Sequence, residues 1–197
     1  MPKSQAVNPA VVEKTFREIL EARKDILYIS FSSALSGSCD IVRMVAKQLV
    51  EEEYPNAAIE VVDSLCVSLG EGLLVNKALT MQAQGKALAE VRDWLVENAA
   101  HVCVKFTVDD LFHLQRGGRV SKATAVVGSV LNLKPVLKLT PEGKLEAAGT
   151  VRGRKKSLTA LVDYMAEKMP GYEALNDMVA IVHGDCLEDA QFVAKQV

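Results

Sequence analysis

Short apolar segments alternate with amphipathic segments over the first hundred residues of the chain. Residues 26–31 and 58–62 are mostly apolar, which is typical of strands buried on both faces of a parallel sheet. Before the first of them, Asn8 and Pro9 mark the start of a helix whose apolar side chains share one face. This alternation predicts an α/β fold with a parallel sheet flanked by helices.

The remaining elements of this first region follow the same alternation. Gly85 marks the C-terminal stop of one of its helices. Helices are predicted at residues 38–53, 68–84 and 87–98, and a further strand at 102–108. The sequence therefore predicts a first domain over residues 1–108.

The pattern changes after residue 108, where two apolar segments flank a turn. Lys134–Leu139 and Leu145–Val151 enclose Thr140–Gly143, whose Pro and Gly are typical of a hairpin turn. Helices are predicted at 109–115, 122–131, 154–168 and from about 187, with a strand at 178–182. A hairpin within alternating elements predicts a second, smaller α/β domain with a mixed sheet over residues 109–197.

Composition and motifs narrow the classes of function. No window reaches the ~18 consecutive apolar residues of a membrane span, so we expect no stable membrane insertion. Aromatic residues make up 5% of the chain, which argues against nucleic acid bound by base stacking. The four cysteines form no CxxC pair, which favours reduced thiols in a cytoplasmic protein. Motifs such as HExxH and GxSxG are missing, so no metal site is predicted.

Charge is unevenly distributed along the chain. Residues 105–156 hold 11 basic and 4 acidic side chains, whereas the whole chain has a net charge of −2. A central basic belt of this kind indicates an anionic ligand or an acidic partner. A solvated surface with scattered lysines explains the same count, and charge alone does not separate the two.

A serine-rich segment, Ser30–Ser38, joins the end of a buried strand to the start of a helix. Ligands of open α/β sheets gather at the carboxyl ends of strands, and free N–H groups at a helix start suit a carboxylate or phosphate. Helix capping by Ser36 or Ser38 explains part of the pattern. The four serines that follow the strand, at positions 32, 33, 36 and 38, exceed what capping needs, so the segment is a candidate anion site.

Three further segments are candidates for function. Arg116–Arg119 places two arginines around two glycines, and Arg152–Lys156 clusters positive charge where a helix begins; exposed, solvated side chains explain either. His183 follows a predicted strand and is a candidate base, although a helix cap by Asp185 is the simpler interpretation. Hydrolytic or metal chemistry gains no support from these residues.

Five ordered blocks together resemble the DegV family. Ser32–Ser38 is similar to its SSxLSGT loop, and Val61–Ser64 to its VxDS strand end. The blocks Asp109–Ser121, Leu131–Pro135 and Arg152–Lys156 are similar to its DDLxxLxRGGRIS, LNIKP and RGKKK motifs. The resemblance runs over nearly the whole chain. This sequence begins at the loop before Pro9 and ends before the family's closing glycine-rich segment.

The resemblance implies a two-domain fold that holds a long-chain fatty acid between the domains and inside the first. It implies a binding subunit rather than an enzyme, with the fatty acid as ligand and no cofactor. A separate catalytic subunit, the fatty acid kinase, would phosphorylate the presented carboxylate with ATP. The acyl phosphate would then enter phospholipid synthesis.

The same resemblance implies roles for individual residues. Ser4 would donate a hydroxyl hydrogen bond to the carboxylate, together with Ser33 or Ser32. Arg119 would lie near the phosphoryl-transfer centre, and Arg152 on the face that meets the kinase. None of these residues is expected to be catalytic by itself.

Two other classes of function remain open at the level of sequence. A stand-alone phosphotransferase or hydrolase would use Ser33, Arg119 and His183, and would turn over substrate without a partner. A regulatory protein would use the basic belt to bind a partner and would need no lipid. Lipid retained by the purified protein distinguishes the binding subunit from both.

Overall fold

The computed structural model describes residues 4–120, 132–176 and 178–197, which fall into two compact units. The first unit runs to Val102 and includes the turn Pro141–Lys144. The second consists of Cys103–Thr140 and Leu145–Val197. The tip of the predicted hairpin therefore belongs to the first unit, whereas its two strands belong to the second.

Two parallel strands lie at the centre of the first unit. Strand β1 (Ile26–Ser30) pairs with β2 (Ile59–Asp63), with Ser30 opposite Asp63 at their carboxyl ends. The helices of this unit are α1 (Pro9–Glu21), α2 (Ser38–Glu52), α3 (Leu69–Ala83) and α4 (Leu88–Asn98). The predicted order of strands and helices is confirmed up to residue 98.

The start of α1 follows the capping rules that its sequence predicts. The side chain of Asn8 accepts a hydrogen bond from the Ala10 N–H at 2.9 Å, and Pro9 occupies the first helical position. Apolar residues at helical spacing, Phe16 among them, are buried along one face. The predicted helix and its buried face are both confirmed.

Helices cover both faces of the parallel pair. Ile26 and Ile59 pack in one hydrophobic cluster with residues of α1 and α2. Because side chains alternate along a strand, Glu60 projects from the opposite face. There its carboxylate pairs with Arg92 of α4 at 2.7 Å. This double cover holds the carboxyl ends of both strands in place.

The second unit contains a three-stranded antiparallel sheet in the order β3–β4–β5. Its strands are β3 (Lys105–Thr107), β4 (Leu133–Leu139) and β5 (Leu145–Arg152). The α-helices among its described residues are α5 (Phe112–Arg116), α6 (Arg154–Lys168) and α7 (Leu187–Ala194). The predicted hairpin and the helices predicted at 154–168 and from 187 are confirmed.

The third predicted strand has a different partner from the one its sequence suggests. Strand β3 pairs antiparallel with β4, Thr107 lying opposite Val136, and so belongs to the second unit. The division consequently falls after Val102, whereas the sequence analysis places it at 108. Uniform apolarity indicates burial but not direction of pairing, so the sequence pattern leaves the partner undetermined.

Two other expectations for the second unit differ from the structure. The described part of its sheet is antiparallel throughout, where a mixed sheet is predicted. Residues 178–182, predicted as a strand, carry no strand assignment although all five are described. The helix predicted at 122–131 lies outside the described residues.

Candidate functional site

The loop between β1 and α2 folds around the backbone of Ser32. Its N–H donates to the Cys66 carbonyl at 2.9 Å, which joins this loop to the one after β2. Its carbonyl accepts the N–H groups of Leu35 and Ser36 at 3.1 and 3.2 Å, closing a turn. The loop is therefore held by its own backbone and not by strand pairing alone.

The hydroxyl of Ser32 is buried and committed to a backbone partner. It donates to the carbonyl of Gly143, at the hairpin tip, at 2.8 Å. Gly143 has a φ of +73°, and a Cβ at this position would lie 3.0 and 3.1 Å from backbone atoms of Leu65. It would also collide with the Ser32 hydroxyl itself. Because a hydroxyl carries one hydrogen, Ser32 cannot donate to a second acceptor at the same time.

Ser33, the next residue, differs from Ser32 because its side chain is exposed and its backbone N–H is bound by a side chain. Its side chain is exposed, while its backbone N–H donates to the Asp63 carboxylate, 3.2 Å from Oδ1 and 3.4 Å from Oδ2. The same Oδ1 accepts the Leu65 N–H at 3.0 Å. Asp63, the last residue of β2, therefore anchors the backbone from which the Ser33 hydroxyl projects.

Ser38 ties the segment before α1 to this loop. Its hydroxyl accepts the Val7 N–H at 3.2 Å and lies 3.0 Å from the Ser36 hydroxyl. Ser4 is exposed and only three residues before Val7, so it lies within about 11 Å of Val7 along the chain. The structure therefore holds the segment that follows Ser4 at the start of α2.

The amino end of α2 adds a positive field to the same region. Gly37 precedes its first turn and offers no side-chain cap, so part of the first-turn N–H groups lacks a side-chain acceptor. Burial raises the pKa of Cys39, and a hydrogen bond with Ser30 opposes this effect. The thiol of Cys39 therefore stays neutral and adds no negative charge beside the serines.

Arg119 belongs to the second unit, where it follows the end of α5. Its backbone N–H donates to the Leu114 carbonyl at 3.0 Å, and its guanidinium donates to the Gly117 carbonyl. Gly118, between them, has a φ of +74°, which suits a helix C-terminus. The RGGR segment thus has a structural role in ending α5 and leaves Arg119 half-buried.

In the basic cluster Arg152–Lys156, some side chains contact α7 and others are exposed. Arg154 Nε pairs with the Asp189 carboxylate at 2.7 Å, and the Lys155 ammonium lies 5.3 Å from the centre of the Phe192 ring. Arg152, the last residue of β5, is exposed. The sequence groups these basic residues together, whereas the structure separates Arg152 from those that pack against α7.

The turn before α7 is closed by a histidine and not by the predicted aspartate. His183 Nδ1 accepts the Cys186 N–H at 3.1 Å, immediately before the first residue of the helix. Asp185 adopts a φ of +58° and makes no side-chain cap. The predicted cap by Asp185 is therefore wrong, because Cys186 occupies the cap position and Asp185 lies before it in a left-handed conformation.

The described residues contain no disulfide, no cluster of metal ligands and no membrane-spanning helix. The four cysteines are free thiols, of which Cys39 and Cys66 are buried. Within residues 4–120, 132–176 and 178–197, no group of three potential metal ligands lies together. Over the same ranges, no helix combines the length and apolarity needed to cross a bilayer.

The fold and the serine-rich loop define a two-unit α/β protein with a candidate anion site at the carboxyl ends of two parallel strands. The sequence model of the DegV family matches this chain over residues 1–197. The chain therefore belongs to the DegV family, as its five sequence blocks indicate.

Relatives and solved structures support the same assignment. A DegV domain-containing protein of Clostridium perfringens is 38% identical over 197 residues, covering 100% of this chain and 67% of the relative. A DegV family protein of Ruminococcus gnavus, solved with vaccenic acid, has a TM-score of 0.85 at 27% identity, covering 98% of this chain and 67% of that one.

A third similar protein carries a functional name. The Fatty Acid Kinase (Fak) B3 protein of Streptococcus pneumoniae, solved with linoleic acid, has a TM-score of 0.74 at 28% identity. The match covers 83% of this chain and 56% of that one. This chain thus spans between 56% and 67% of the length of the three proteins compared.

Two residues of the site carry roles that sequence reasoning missed. Asp63 is interpreted from the sequence as a strand end, and Gly143 as a turn residue, yet they hold Ser33 and Ser32 respectively. The signal for Asp63 is a polar residue at the carboxyl end of a buried strand, where sites gather. For Gly143 the sequence offers no signal beyond the turn itself.

Proposed function

We propose that this protein binds one long-chain fatty acid by its carboxylate and presents it to a partner kinase. Membership of the DegV family and the fatty acids held by two similar proteins support this proposal. The observation that carries it is the exposed Ser33 side chain on the loop that leads into α2, on a backbone anchored by Asp63. Such a loop supplies hydrogen-bond donors where an anion is favoured.

The head group needs hydroxyl donors because an ionised carboxylate is costly to remove from water unless it is hydrogen-bonded. We assign direct donation to Ser33 and Ser4, both of which are exposed. Ser32, the other serine that the family pattern suggests, gives its hydrogen to Gly143. We therefore assign Ser32 the role of holding the loop in place, without a direct hydrogen bond to the ligand.

The acyl tail supplies most of the binding free energy in this proposal. Each buried methylene contributes roughly 0.8 kcal/mol, so a long tail outweighs one or two head-group hydrogen bonds. The head group instead fixes which end of the ligand faces the partner. The fatty acid is thus a ligand and substrate to be presented, and the proposal requires no cofactor.

Phosphoryl transfer takes place in the partner kinase, which supplies ATP to the presented carboxylate in the cytoplasm. We assign Arg119 a place near the transferring phosphoryl group, because a guanidinium forms paired hydrogen bonds with phosphate oxygens. We assign Arg152 to contact with the kinase, since its side chain is exposed and not bound to α7. The resulting acyl phosphate serves phospholipid synthesis.

Reversing the charge of Arg152 is expected to separate the two parts of this proposal. Arg152→Glu should weaken binding to the kinase subunit about tenfold, because a charge at an interface steers and pairs with its partner. Fatty acid affinity should stay within twofold of wild type. Surface plasmon resonance with the kinase and a palmitate titration measure the two effects.

Lys24→Glu is the matched control. Lys24 is also exposed, but it precedes the amino end of β1, whereas the serine loop follows the carboxyl end of that strand. It should leave both affinities unchanged. Equal kinase affinity for the Arg152→Glu and Lys24→Glu variants would remove Arg152 from the interface.

A comparison of two ligands tests the carboxylate assignment directly. Native mass spectrometry of the 197-residue chain should show one palmitate bound per chain. Hexadecanol, with the same tail length and a neutral head, should bind at least about tenfold more weakly, because hydrogen bonds to a charged group are stronger. Equal binding of both ligands would contradict recognition through the carboxylate.

A further inference from the structure

The carboxylate of Asp63 connects the two loops that follow β1 and β2. Its Oδ1 accepts the N–H groups of Ser33 at 3.2 Å and Leu65 at 3.0 Å. The adjoining residue, Ser64, donates its own N–H to the Ser30 carbonyl at 3.0 Å. The carboxyl ends of β1 and β2 are therefore joined by a side-chain hydrogen bond at Asp63 and by a backbone hydrogen bond at Ser64.

This contact fixes the residue to which we assign the head-group hydrogen bond. The Ser33 side chain is exposed, and its backbone N–H is bound by the Asp63 carboxylate, which adds to the backbone hydrogen bonds of the neighbouring Ser32. Without it, ordering the loop on binding would cost conformational entropy. Asp63 therefore acts on the ligand through Ser33.

The charge of Asp63 has a separate consequence. A ligand oxygen bonded to the Ser33 hydroxyl lies roughly 6–9 Å from the carboxylate, given ordinary bond lengths and hydrogen-bond distances. At that distance, each negative charge on the ligand is disfavoured about fivefold at low ionic strength. A dianionic phosphate head group is thus penalised more than a monoanionic carboxylate.

We propose that Asp63 is a positioning residue for Ser33 and that its charge makes the site select a monoanionic carboxylate over a dianionic phosphate. This inference rests on the proposed function and deepens it. In that function the ligand gains negative charge when the kinase phosphorylates it, so Asp63 favours substrate over product. Repulsion by Asp63 then favours release of the acyl phosphate product.

Two substitutions at one position separate the roles of hydrogen bonding and charge. Asp63→Asn keeps a carbonyl oxygen that accepts the N–H groups of Ser33 and Leu65 but removes the charge, whereas Asp63→Ala removes both. Palmitate and hexadecyl phosphate, with equal tails, are titrated against each variant of the 197-residue chain. Circular dichroism melting verifies that each variant is folded.

Asp25 provides the matched control at the other end of the same strands. Its Oδ1 accepts the Ala58 N–H at 3.3 Å just before β1, so Asp25→Asn and Asp25→Ala repeat the chemistry away from the serines. Neither control should change the affinity ratio of the two ligands. This comparison separates a local effect from a general loss of strand-end hydrogen bonds.

The inference predicts opposite results for the palmitate affinity of the two variants at Asp63. Asp63→Ala should lose about tenfold in affinity for palmitate, since the anchor of Ser33 is gone, and should raise the relative affinity for hexadecyl phosphate about fivefold, because it also lacks the charge. Asp63→Asn should restore palmitate binding to wild type or better and raise the relative affinity for hexadecyl phosphate about fivefold. A purely structural role would leave that ratio unchanged.

Two results would overturn the inference. If Asp63→Asn and Asp63→Ala lose palmitate affinity equally, the hydrogen bonds that Asp63 accepts do not position Ser33. If the affinity ratio in both variants matches that of wild type, Asp63 has no role in selectivity. These outcomes leave the proposed function standing, because wild type still binds palmitate. Wild-type protein that binds neither ligand would overturn the proposed function and this inference with it.

Discussion

Replacing Ser33 by alanine is expected to weaken palmitate binding roughly 10- to 100-fold while leaving the melting temperature nearly unchanged. Among the described residues its exposed hydroxyl makes no hydrogen bond comparable to that of Ser32, so its removal should cost the fold little. The ligand loses a hydrogen bond to a charged oxygen, which is among the stronger kinds. Isothermal titration calorimetry and a thermal melt measure the two quantities.

Ser32→Ala is the comparison that makes this prediction specific, because the two serines are adjacent. It leaves the Gly143 carbonyl without its buried donor and should lower the free energy of unfolding by about 1–3 kcal/mol. Its effect on palmitate affinity should be smaller than that of Ser33→Ala. If Ser32→Ala costs more affinity than Ser33→Ala, the two roles are reversed.

Replacing Gly143 by alanine is expected to lower the free energy of unfolding by about 3 kcal/mol or more. Its φ of +73° is strained for a residue with a side chain. The new Cβ would also meet Ser32 and the backbone of Leu65, neither of which is the far end of a flexible chain. Urea denaturation monitored by circular dichroism measures the loss.

Gly85→Ala isolates the contribution of the backbone conformation. Gly85 has a φ of +79°, yet a Cβ there would meet no atom within 4 Å. This substitution should therefore cost only the conformational penalty, about 1–2 kcal/mol. If both substitutions cost the same, the close approach of Gly143 to the serine loop carries no stability of its own.

Local signals in the sequence were enough to predict much of the fold. Asn8 and Pro9 define the start of α1 by chemistry confined to a few residues. The turn around Gly143 likewise defines a hairpin, because a positive φ at that residue suits glycine. Such signals act between near neighbours, which is why they can be recognised in one sequence.

Contacts between distant residues could not be predicted in the same way. Strand β3 is three residues long, and nothing in its composition selects the antiparallel partner it has in β4. Ser32 and Ser33 have the same side chain, so only the fold separates the buried one from the exposed one. The reason lies 111 residues away along the chain, at Gly143.

Mass spectrometry of an organic extract of the purified protein tests the central claim most directly. The account predicts one long-chain fatty acid per chain, released on extraction and rebound when palmitate is added back. The identity of that acid would also report the length and unsaturation of the preferred tail. Protein that yields no fatty acid on extraction, and takes up none when palmitate is supplied, would contradict the account.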